Sequence, residues 1–165
     1  MSENYIVING KKAELTEEQL RALGVKKERN NPFAKVYRGK DFFYISAFDD
    51  LCSLTEFNTI ISGKLNVGGN YFNDEDFAHQ VALHQLLYRK LIKFAYDNGC
   101  EDTAEWNGAN QHWAIRYVEN REAFAAYWQS TYKSQEVYFS SEEDAERAIE
   151  EVIKPFMKEH PEFVW

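Results

Sequence analysis

A long amphipathic pattern in the middle of the chain limits the possible folds more than any other segment does. Apolar and aromatic side chains recur there at steps of three and four residues, on one helical face: Phe77, Val81, His84, Tyr88, Leu91 and Ala95. Further apolar residues widen that face: Leu83, Leu86, Leu87, Ile92 and Phe94. An acidic first turn suits the helix dipole, and Asn98-Gly99 ends the pattern. We therefore predict a central helix over about 74–98, buried on much of its girth.

A second amphipathic helix is predicted near the end of the chain. Ser140-Ser-Glu-Glu143 has the spacing of a capping box, in which side chains satisfy free backbone amides of the first turn. The apolar positions that follow keep helical spacing: Ala145, Ile149, Val152 and Phe156. Pro155 has no amide hydrogen, so we expect the helix over about 141–159 to bend near 151–155.

The two strand-to-helix junctions have similar sequences. Residues 71–78 align without gaps with residues 138–145: each begins with two aromatics, then a capping residue and an acidic first turn. Aromatic-rich stretches at 42–67 and 111–132 precede them. One interpretation is two hairpin-then-helix units around a shared antiparallel sheet. The other is that any strand-to-helix junction uses this chemistry, because caps and acidic residues are generic.

The N-terminal segment has the pattern of a small ββα element. The run Tyr5–Ile8 favours a strand, Asn9-Gly10 favours a two-residue turn, and Lys11–Glu14 would return as a second strand. Thr16 and Gln19 have capping-box spacing, which predicts a short helix over 17–23.

Several shorter strands are predicted from β-branched and aromatic runs between turn residues. Their ranges are 35–37 with 42–46 as a hairpin, 54–60, 64–67, 111–118 and 136–139. The segment 121–132 is ambiguous, because its alanines favour a helix while its Phe, Tyr and Trp residues favour a strand. We expect a strand there because strands flank it.

Together these elements predict one α+β domain. A chain of 165 residues with 44% hydrophobic residues is sufficient for a single core. The predicted domain spans 1–165, and it consists of a ββα element and two repeat-like units: 1–30, 35–98 and 106–160. We expect an antiparallel sheet built of hairpins, with the two long helices packed on it and the terminal Trp165 either on the core or protruding as an anchor.

The charge is −8 overall and is concentrated at the C-terminus, where residues 136–165 hold nine acidic and three basic residues. An acidic chain repels phosphate, so direct nucleic-acid binding is disfavoured, while a partner protein with a basic surface is favoured. The candidate partner-binding residues lie along the last helix: Glu142, Glu143, Glu146 and Glu150. An array of this kind could also mimic nucleic acid, or it could be a solvated helix face.

The segment Trp106–Trp113 combines aromatic rings with amide side chains. The candidate ligand-binding residues are Trp106, Asn107, Asn110, Gln111 and Trp113. Stacking rings and amide donors are typical of a pocket for a nucleotide or sugar. They are equally typical of a tight Asn-Gly turn that enters a strand, with the tryptophans in the core.

No catalytic motif can be identified in the sequence. It contains no phosphate-binding glycine loop, no Gly-x-Ser-x-Gly and no His-Glu-x-x-His. Cys52 and Cys100 lack zinc-site spacing and are expected to be buried thiols, and His84 is expected to be a hydrogen-bonded core residue. We therefore predict no enzyme, no cofactor and no metal. An acidic cluster lies between the central helix and the next strand: Asp97, Glu101, Asp102 and Glu105. It is either a solvated loop or the site of a metal-dependent hydrolase.

The predicted location is the cytoplasm. The start of the chain lacks the basic and apolar segments of a secretory signal, and no apolar run approaches the ~20 residues that span a bilayer. An exposed sheet edge would permit a homodimer.

Several sequence segments resemble those of a group of small proteins encoded by phages and prophages of Gram-positive, mostly gut-dwelling, bacteria. These segments are residues 31–33, 42–45, 69–72, 85–90 in the predicted central helix, 104–108, 137–141 and 161–165. The group has no assigned activity, cofactor or site residues. Where its members are rich in Tyr and Gly, this chain has Arg121–Tyr127, which is a departure from the pattern of a plain hairpin.

The resemblance implies an accessory role during infection, in the cytoplasm of a host bacterium. By analogy with anti-CRISPR and other anti-defence proteins, we expect the chain to bind a host protein, such as a nucleic-acid-binding defence protein, through its acidic surface. The alternatives are a protein that sequesters a nucleotide or small molecule at Trp106–Trp113, and the hydrolase at the acidic cluster.

Overall fold

A computed structural model of the chain describes residues 5–8, 11–16, 19 and 31–165. The chain divides into two compact units, Met1–Asn31 and Pro32–Trp165. Both contain antiparallel hairpins, and the second also contains the long helices, so the predicted α+β class is confirmed.

The first unit contains a two-stranded hairpin. Strands β1 (Tyr5–Ile8) and β2 (Lys11–Glu14) pair antiparallel, with Tyr5 opposite Glu14 and Ile8 opposite Lys11. The capping box is confirmed, because the Thr16 amide donates to Gln19 Oε1 at 2.9 Å and the Gln19 amide donates to Thr16 Oγ1 at 3.3 Å. Apart from Gln19, the helix predicted over 17–23 lies outside the described residues, as does the Asn9-Gly10 turn.

The second unit consists of two hairpins and four helices, with long connections at 98–111 and 130–141. In chain order its elements are β3 (Asp41–Ile45), β4 (Leu51–Thr55), α1 (Ile60–Val67), α2 (Glu75–Asp97), β5 (His112–Val118), a 3₁₀ turn (Glu119–Arg121), β6 (Ala123–Gln129), α3 (Glu142–Ala148), a π-helical turn (Ile149–Ile153) and α4 (Lys154–Glu159).

The first hairpin differs from the prediction. Residues 35–37 form no strand, and β3 pairs instead with β4 after a turn at 46–50. The strand predicted at 64–67 is wrong, because those residues belong to α1. The Thr59 hydroxyl accepts the Ser62 amide at 3.1 Å and so caps that helix, which overrides the β preference of its isoleucines.

The second hairpin follows the prediction more closely. Strand β5 lies within the predicted 111–118, and β6 lies within 121–132, where the aromatic residues outweigh the alanines. The strand predicted at 136–139 is reduced to two isolated bridges of Phe139, one with Trp113 of β5 and one with Glu101.

The described strands form separate two-stranded sheets, which corrects the expected single shared sheet. One aromatic residue extends each hairpin of the second unit: Phe72 bridges Phe43 of β3, as Phe139 bridges Trp113 of β5. The helices that follow begin at Glu75 and Glu142, one residue after matching N-caps. The two segments that align in sequence, 71–78 and 138–145, therefore have the same local geometry. An internal repeat that includes the hairpins stays a prediction.

Helix α2 packs against both hairpins. Its N-terminal half packs with Ile45 and Phe72 in a small cluster. Its C-terminal half contributes Leu87, Leu91 and neighbouring residues to a larger cluster that contains Ile115, Phe139 and the buried face of the last helices. The second hairpin, the C-terminal half of α2 and the last helices thereby share one core.

A π-helical turn separates α3 from α4, and it overlaps the segment where a bend was predicted. The Lys154 amide donates to the Ile149 carbonyl, five residues back. Pro155 follows directly and can donate no backbone hydrogen bond. Together the three segments cover 142–159, as predicted for this helix.

Several single residues also depart from the expectations. Cys100 is buried, but Cys52 is only half-buried, and both are free thiols. His84 is exposed and lies edge-on to Phe163 at 4.7 Å, so it is not a core residue. Trp165 packs back on Phe124 with ring centroids 4.8 Å apart and stays 42% exposed. Within the described residues, none of the helices combines the length and apolar character that crossing a bilayer requires.

Candidate partner-binding groove

A groove of about 1020 Å³ lies between β6 and the last helical segments. All four glutamates that the sequence analysis proposed for partner binding line it: Glu142, Glu143, Glu146 and Glu150. The opposite wall is residues 121–126, the start of β6 and the turn before it. Helical spacing explains why the four glutamates line the same wall, because residues three and four positions apart share one face of a helix.

Small side chains make room for the groove on the strand side. Of the four residues at 123–126, three are alanines, and Phe124 is the exception. Phe124 and Ala126 also pack against the larger core cluster. The alanines, which made the segment ambiguous in the sequence, therefore leave space beside the strand.

The groove carries a net negative charge. Its lining contains six glutamates and three basic residues, a net charge of −3. Two of the basic side chains are already engaged: Lys154 with Glu150, and Arg147 with Asp144 and Glu151. Glu142, Glu143 and Glu146 make no ion pair or side-chain hydrogen bond within the described part of the chain.

The N-terminal cap of α3 fixes where these glutamates lie. The Ser141 hydroxyl accepts the Asp144 amide at 3.1 Å and donates to Asp144 Oδ2 at 2.6 Å. That hydrogen bond from Ser141 is the main reason why the pKa of Asp144 is lowered, with Ser140 and Arg147 acting in the same direction against burial. Asp144 thus serves the cap, while its neighbours Glu142, Glu143 and Glu146 are exposed.

The structure does not bring the proposed ligand residues together in one pocket. His112 and Trp113 are consecutive in β5, so their side chains lie on opposite faces of the hairpin. The Trp106 ring stacks on His112, with centroids 3.6 Å apart and planes at 5°. Trp113 instead packs against the core cluster on the other face. Trp106 and Trp113 are therefore separated by the strand itself.

The amide side chains of this segment stabilise its turn. Asn107 Oδ1 accepts the amides of Ala109 and Asn110 at 2.9 and 3.1 Å, and the Asn110 side chain donates to the Glu105 carbonyl. Gly108 has φ of 81°, which favours glycine at this position. Gln111 is exposed. This arrangement corresponds to the tight-turn alternative.

The acidic cluster at 97–105 is dispersed in the structure. Asp102 Oδ2 lies 2.6 Å from His112 Nδ1, and both side chains are buried. Asp97 pairs with Lys93 on the surface of α2. Among the described residues no group of three or more His, Cys, Asp or Glu could hold a metal ion. Nothing in the sequence indicated the Asp102–His112 pair, because its spacing of ten residues depends on the loop between them.

A second cavity, of about 250 Å³, lies beneath Trp165. Its apolar walls come from α2, β5 and the segment before Phe139, and His84, Arg116 and Glu136 supply polar groups. The Tyr127 hydroxyl lies 2.6 Å from both oxygens of the Glu136 carboxylate and donates its one hydrogen to them. Burial and this carboxylate raise the pKa of Tyr127, so the phenol stays a donor. The sequence analysis missed this cavity.

A buried carboxylate at the first hairpin was also missed. The Glu56 side chain is fully buried and accepts hydrogen bonds from Ser62 Oγ at 2.9 Å, from Tyr71 Oη at 3.1 Å and from the Asn58 amide. Burial raises the pKa of Glu56, but these hydrogen bonds and Lys35 at 3.8 Å outweigh it and lower the pKa. Its polar atoms are all engaged within the fold, so we assign it a structural role.

No protein-family model, no curated protein and no solved structure matches this chain. The case for a function therefore depends on the groove between β6 and α3.

Proposed function

We propose that the protein is a non-enzymatic binding protein whose groove takes up a basic segment of a partner protein. The observation that carries the proposal is the position of Glu142, Glu143 and Glu146, which line the groove and form no ion pair among the described residues. Desolvating three unpaired carboxylates is unfavourable unless cations compensate them. A partner with lysine or arginine side chains supplies that compensation, and it is also steered to the groove by the charge of the chain.

The partner that we propose is a host protein in the bacterial cytoplasm, with a nucleic-acid-binding defence protein as the favoured class. Two arguments support this choice. Proteins that bind nucleic acid have basic grooves, which complement an acidic surface. The resemblance to phage and prophage proteins is consistent with an accessory protein that occupies such a groove. Direct binding of nucleic acid is disfavoured by the net charge of −8.

The test compares two triple charge reversals that change the net charge equally, from −8 to −2. The groove variant is E142K/E143K/E146K, and the control is D50K/E105K/E159K, whose residues are exposed and lie outside the groove lining. The probe is a synthetic peptide of alternating lysine and valine, titrated by calorimetry at several salt concentrations. We expect the groove variant to bind about tenfold to hundredfold more weakly and with a smaller salt dependence.

The control variant should retain affinity within about threefold, since none of its residues lines the groove and its exposed charges are screened by salt. Equal losses in both variants would mean that the peptide responds to net charge alone, and the proposal would be wrong. A host protein retained from lysate by the wild type and the control, but not by the groove variant, would then identify the natural partner.

A protein that sequesters a small molecule is the second candidate, and the cavity beneath Trp165 is the observation that favours it. Its size and its mixture of apolar walls with Arg116 and His84 suit a small amphipathic ligand better than the Trp106–Trp113 segment does. A nucleotide panel followed by tryptophan fluorescence tests this function. A response lost in Trp165→Ala and kept in Trp106→Ala would support the cavity, and no response would exclude that panel as ligands.

A further inference from the structure

We propose that the basic segment binds as an added β-strand along the free edge of β6. This inference rests on the proposed function, and it specifies how the partner is held: an extended chain pairs its backbone with β6 and places alternate lysine or arginine side chains against α3. Addition of a strand to an exposed sheet edge is a recurrent mode of peptide recognition, in which main-chain hydrogen bonds supply affinity and alternate side chains supply specificity.

The pairing of β5 determines which groups of β6 face outward. Trp113 directs its amide and carbonyl toward Phe139, at 3.3 and 2.7 Å, and therefore away from β6. In an antiparallel pair, two residues that lie opposite each other either both point their backbone amides and carbonyls toward the partner strand or both point them away from it. These two kinds of pair alternate along the strand. Trp128 lies opposite Trp113, so Trp128, Ala126 and Phe124 direct their amides and carbonyls away from β5.

These outward backbone groups lack partners within the described part of the chain. Apart from its ladder with β5, β6 makes no backbone hydrogen bond there, and no side chain bonds to its backbone. Phe124 and Ala126 also line the groove. An edge with unpaired amides and carbonyls is a template for another strand, and proteins usually cover or blunt such an edge.

Consecutive residues of β6 line the groove, which places it along the edge of the strand. Side chains of a strand alternate between its two faces, so the four consecutive strand residues 123–126 can all border one groove only where the backbone edge itself forms the wall. The alanines on both faces of this edge let a second backbone approach. The groove therefore offers hydrogen-bonding groups on one wall and carboxylates on the other.

The charge of the groove selects the occupant. A second copy of this chain would bring another groove of net charge −3 against the first, which is repulsive. A strand with lysine or arginine at every second position places those side chains on one face, because strand side chains repeat with a period of two. That face would meet Glu142, Glu143 and Glu146, so the occupant is a cationic extended segment.

The first experiment distinguishes strand pairing from attraction by charge alone. It uses an alternating lysine–valine peptide of the same seven-residue length as β6, and the same peptide with every backbone amide N-methylated. Both carry the same charge, but the methylated form cannot donate to a strand edge. We expect its affinity to be at least about a hundredfold lower. Equal affinity within about threefold would overturn the added strand and leave the proposed acidic binding function standing.

The second experiment alters the protein. Ala126→Pro removes the outward amide of β6 and leaves the ladder with β5 intact, because proline is tolerated where an edge amide faces outward. The matched control is Ser53→Pro, at a position of β4 that lies opposite Phe43 and faces outward by the same argument. We expect Ala126→Pro to weaken binding of the unmethylated peptide at least tenfold, and Ser53→Pro to leave it unchanged.

Circular dichroism and thermal unfolding would confirm that both proline variants are folded, and the N-methylated peptide tests the proposal without any variant. Equal binding by Ala126→Pro and wild type would overturn the proposal. Sedimentation of the free protein tests whether a second copy of this chain pairs with the edge instead. A dimer that Ala126→Pro converts to a monomer would mean that a second copy pairs with this edge, which would also overturn it.

Discussion

The two hairpins of the second unit are built alike and differ in what accompanies their free edges. In each, one strand bridges an aromatic residue that precedes a helix, Phe72 for the first hairpin and Phe139 for the second. The helix that follows β4 directly is α1, which contains no acidic residue and exposes Ile60 and Ile61. The helix that lies along β6 is acidic. The same scaffold therefore provides an apolar surface on one side and a charged groove on the other.

Buried polar groups show a related difference between the hairpins. Beside the first, the Glu56 carboxylate has partners from Asn58, Ser62 and Tyr71. Beside the second, His112 is equally buried, but only its Nδ1 has a partner, and Nε2 has none within the described residues. Glu142, Glu143 and Glu146 of α3 have no such partners within the described residues and are exposed. Carboxylates of this protein thus have two roles. Glu56 is hydrogen-bonded inside the fold, whereas the glutamates of α3 are exposed at the groove.

The largest expected effect tests whether the two aromatic bridges are equivalent. Phe72→Ala and Phe139→Ala each remove a fully buried ring, and each should lower the free energy of unfolding by about 3–5 kcal/mol. Urea denaturation measures both. Phe48→Ala is the control, because that ring is 86% exposed and its loss should change stability by no more than about 0.5 kcal/mol. A large loss in only one of the two bridge variants would break the equivalence of the hairpins.

An intermediate effect is expected at Glu56. Its folded pKa is lowered, so its ionisation stabilises the fold above the unfolded pKa of about 4.3, and this contribution is lost as the pH falls through the folded value. Glu56→Gln should therefore be less stable at neutral pH, and the difference from wild type should shrink below about pH 4. Thermal unfolding between pH 3 and 7 checks the prediction.

Asp144→Asn is the comparison for this pH dependence, because Asp144 also has a lowered pKa but lies in the first turn of α3, which packs on the second hairpin. Its stability difference from wild type should narrow with acid in the same direction. A stability difference for Glu56→Gln that stayed constant across the range would contradict the lowered pKa of Glu56.

The smallest expected effect concerns the two matching helix caps. Asp74 accepts the Phe77 amide at 2.9 Å, and Ser141 accepts the Asp144 amide at 3.1 Å. Asp74→Ala and Ser141→Ala should each cost about 1 kcal/mol of stability, since each leaves a first-turn amide unpaired. Chemical denaturation would measure both, with the exposed Glu105→Ala as a control that should be near neutral. Unequal losses would show that the aligned junctions differ in energy.

The parts of the fold that local chemistry determines could be predicted from the sequence. Helix α2 spans 75–97 against a predicted 74–98, because its apolar period and its caps coincide. The strand predicted at 64–67 was wrong for a local reason, since the Thr59 cap was not recognised. The predicted hairpin of 35–37 with 42–46 was wrong, because the glycine-containing segment 38–41 between those ranges has turn chemistry, while the turn that joins β3 to β4 is at 46–50.

The candidate site could be predicted only in part. Helical spacing was sufficient to place Glu142, Glu143, Glu146 and Glu150 on one face. The opposite wall at β6 depends on how a strand and a helix distant in sequence pack together, and no local pattern encodes that. The Trp106 stack on His112 is of the same kind, because it needs the turn at Asn107 to fold the ring back over the strand.

Amide hydrogen exchange at the edge of β6 tests the central claim most directly. In the free protein, the amides of Phe124 and Ala126 should exchange much faster than those of Ala125 and Tyr127, which face β5. On addition of the alternating lysine–valine peptide, Phe124 and Ala126 should gain protection while Ser53 on β4 does not. Unchanged exchange at Phe124 and Ala126 in a solution where the peptide is bound would contradict the account.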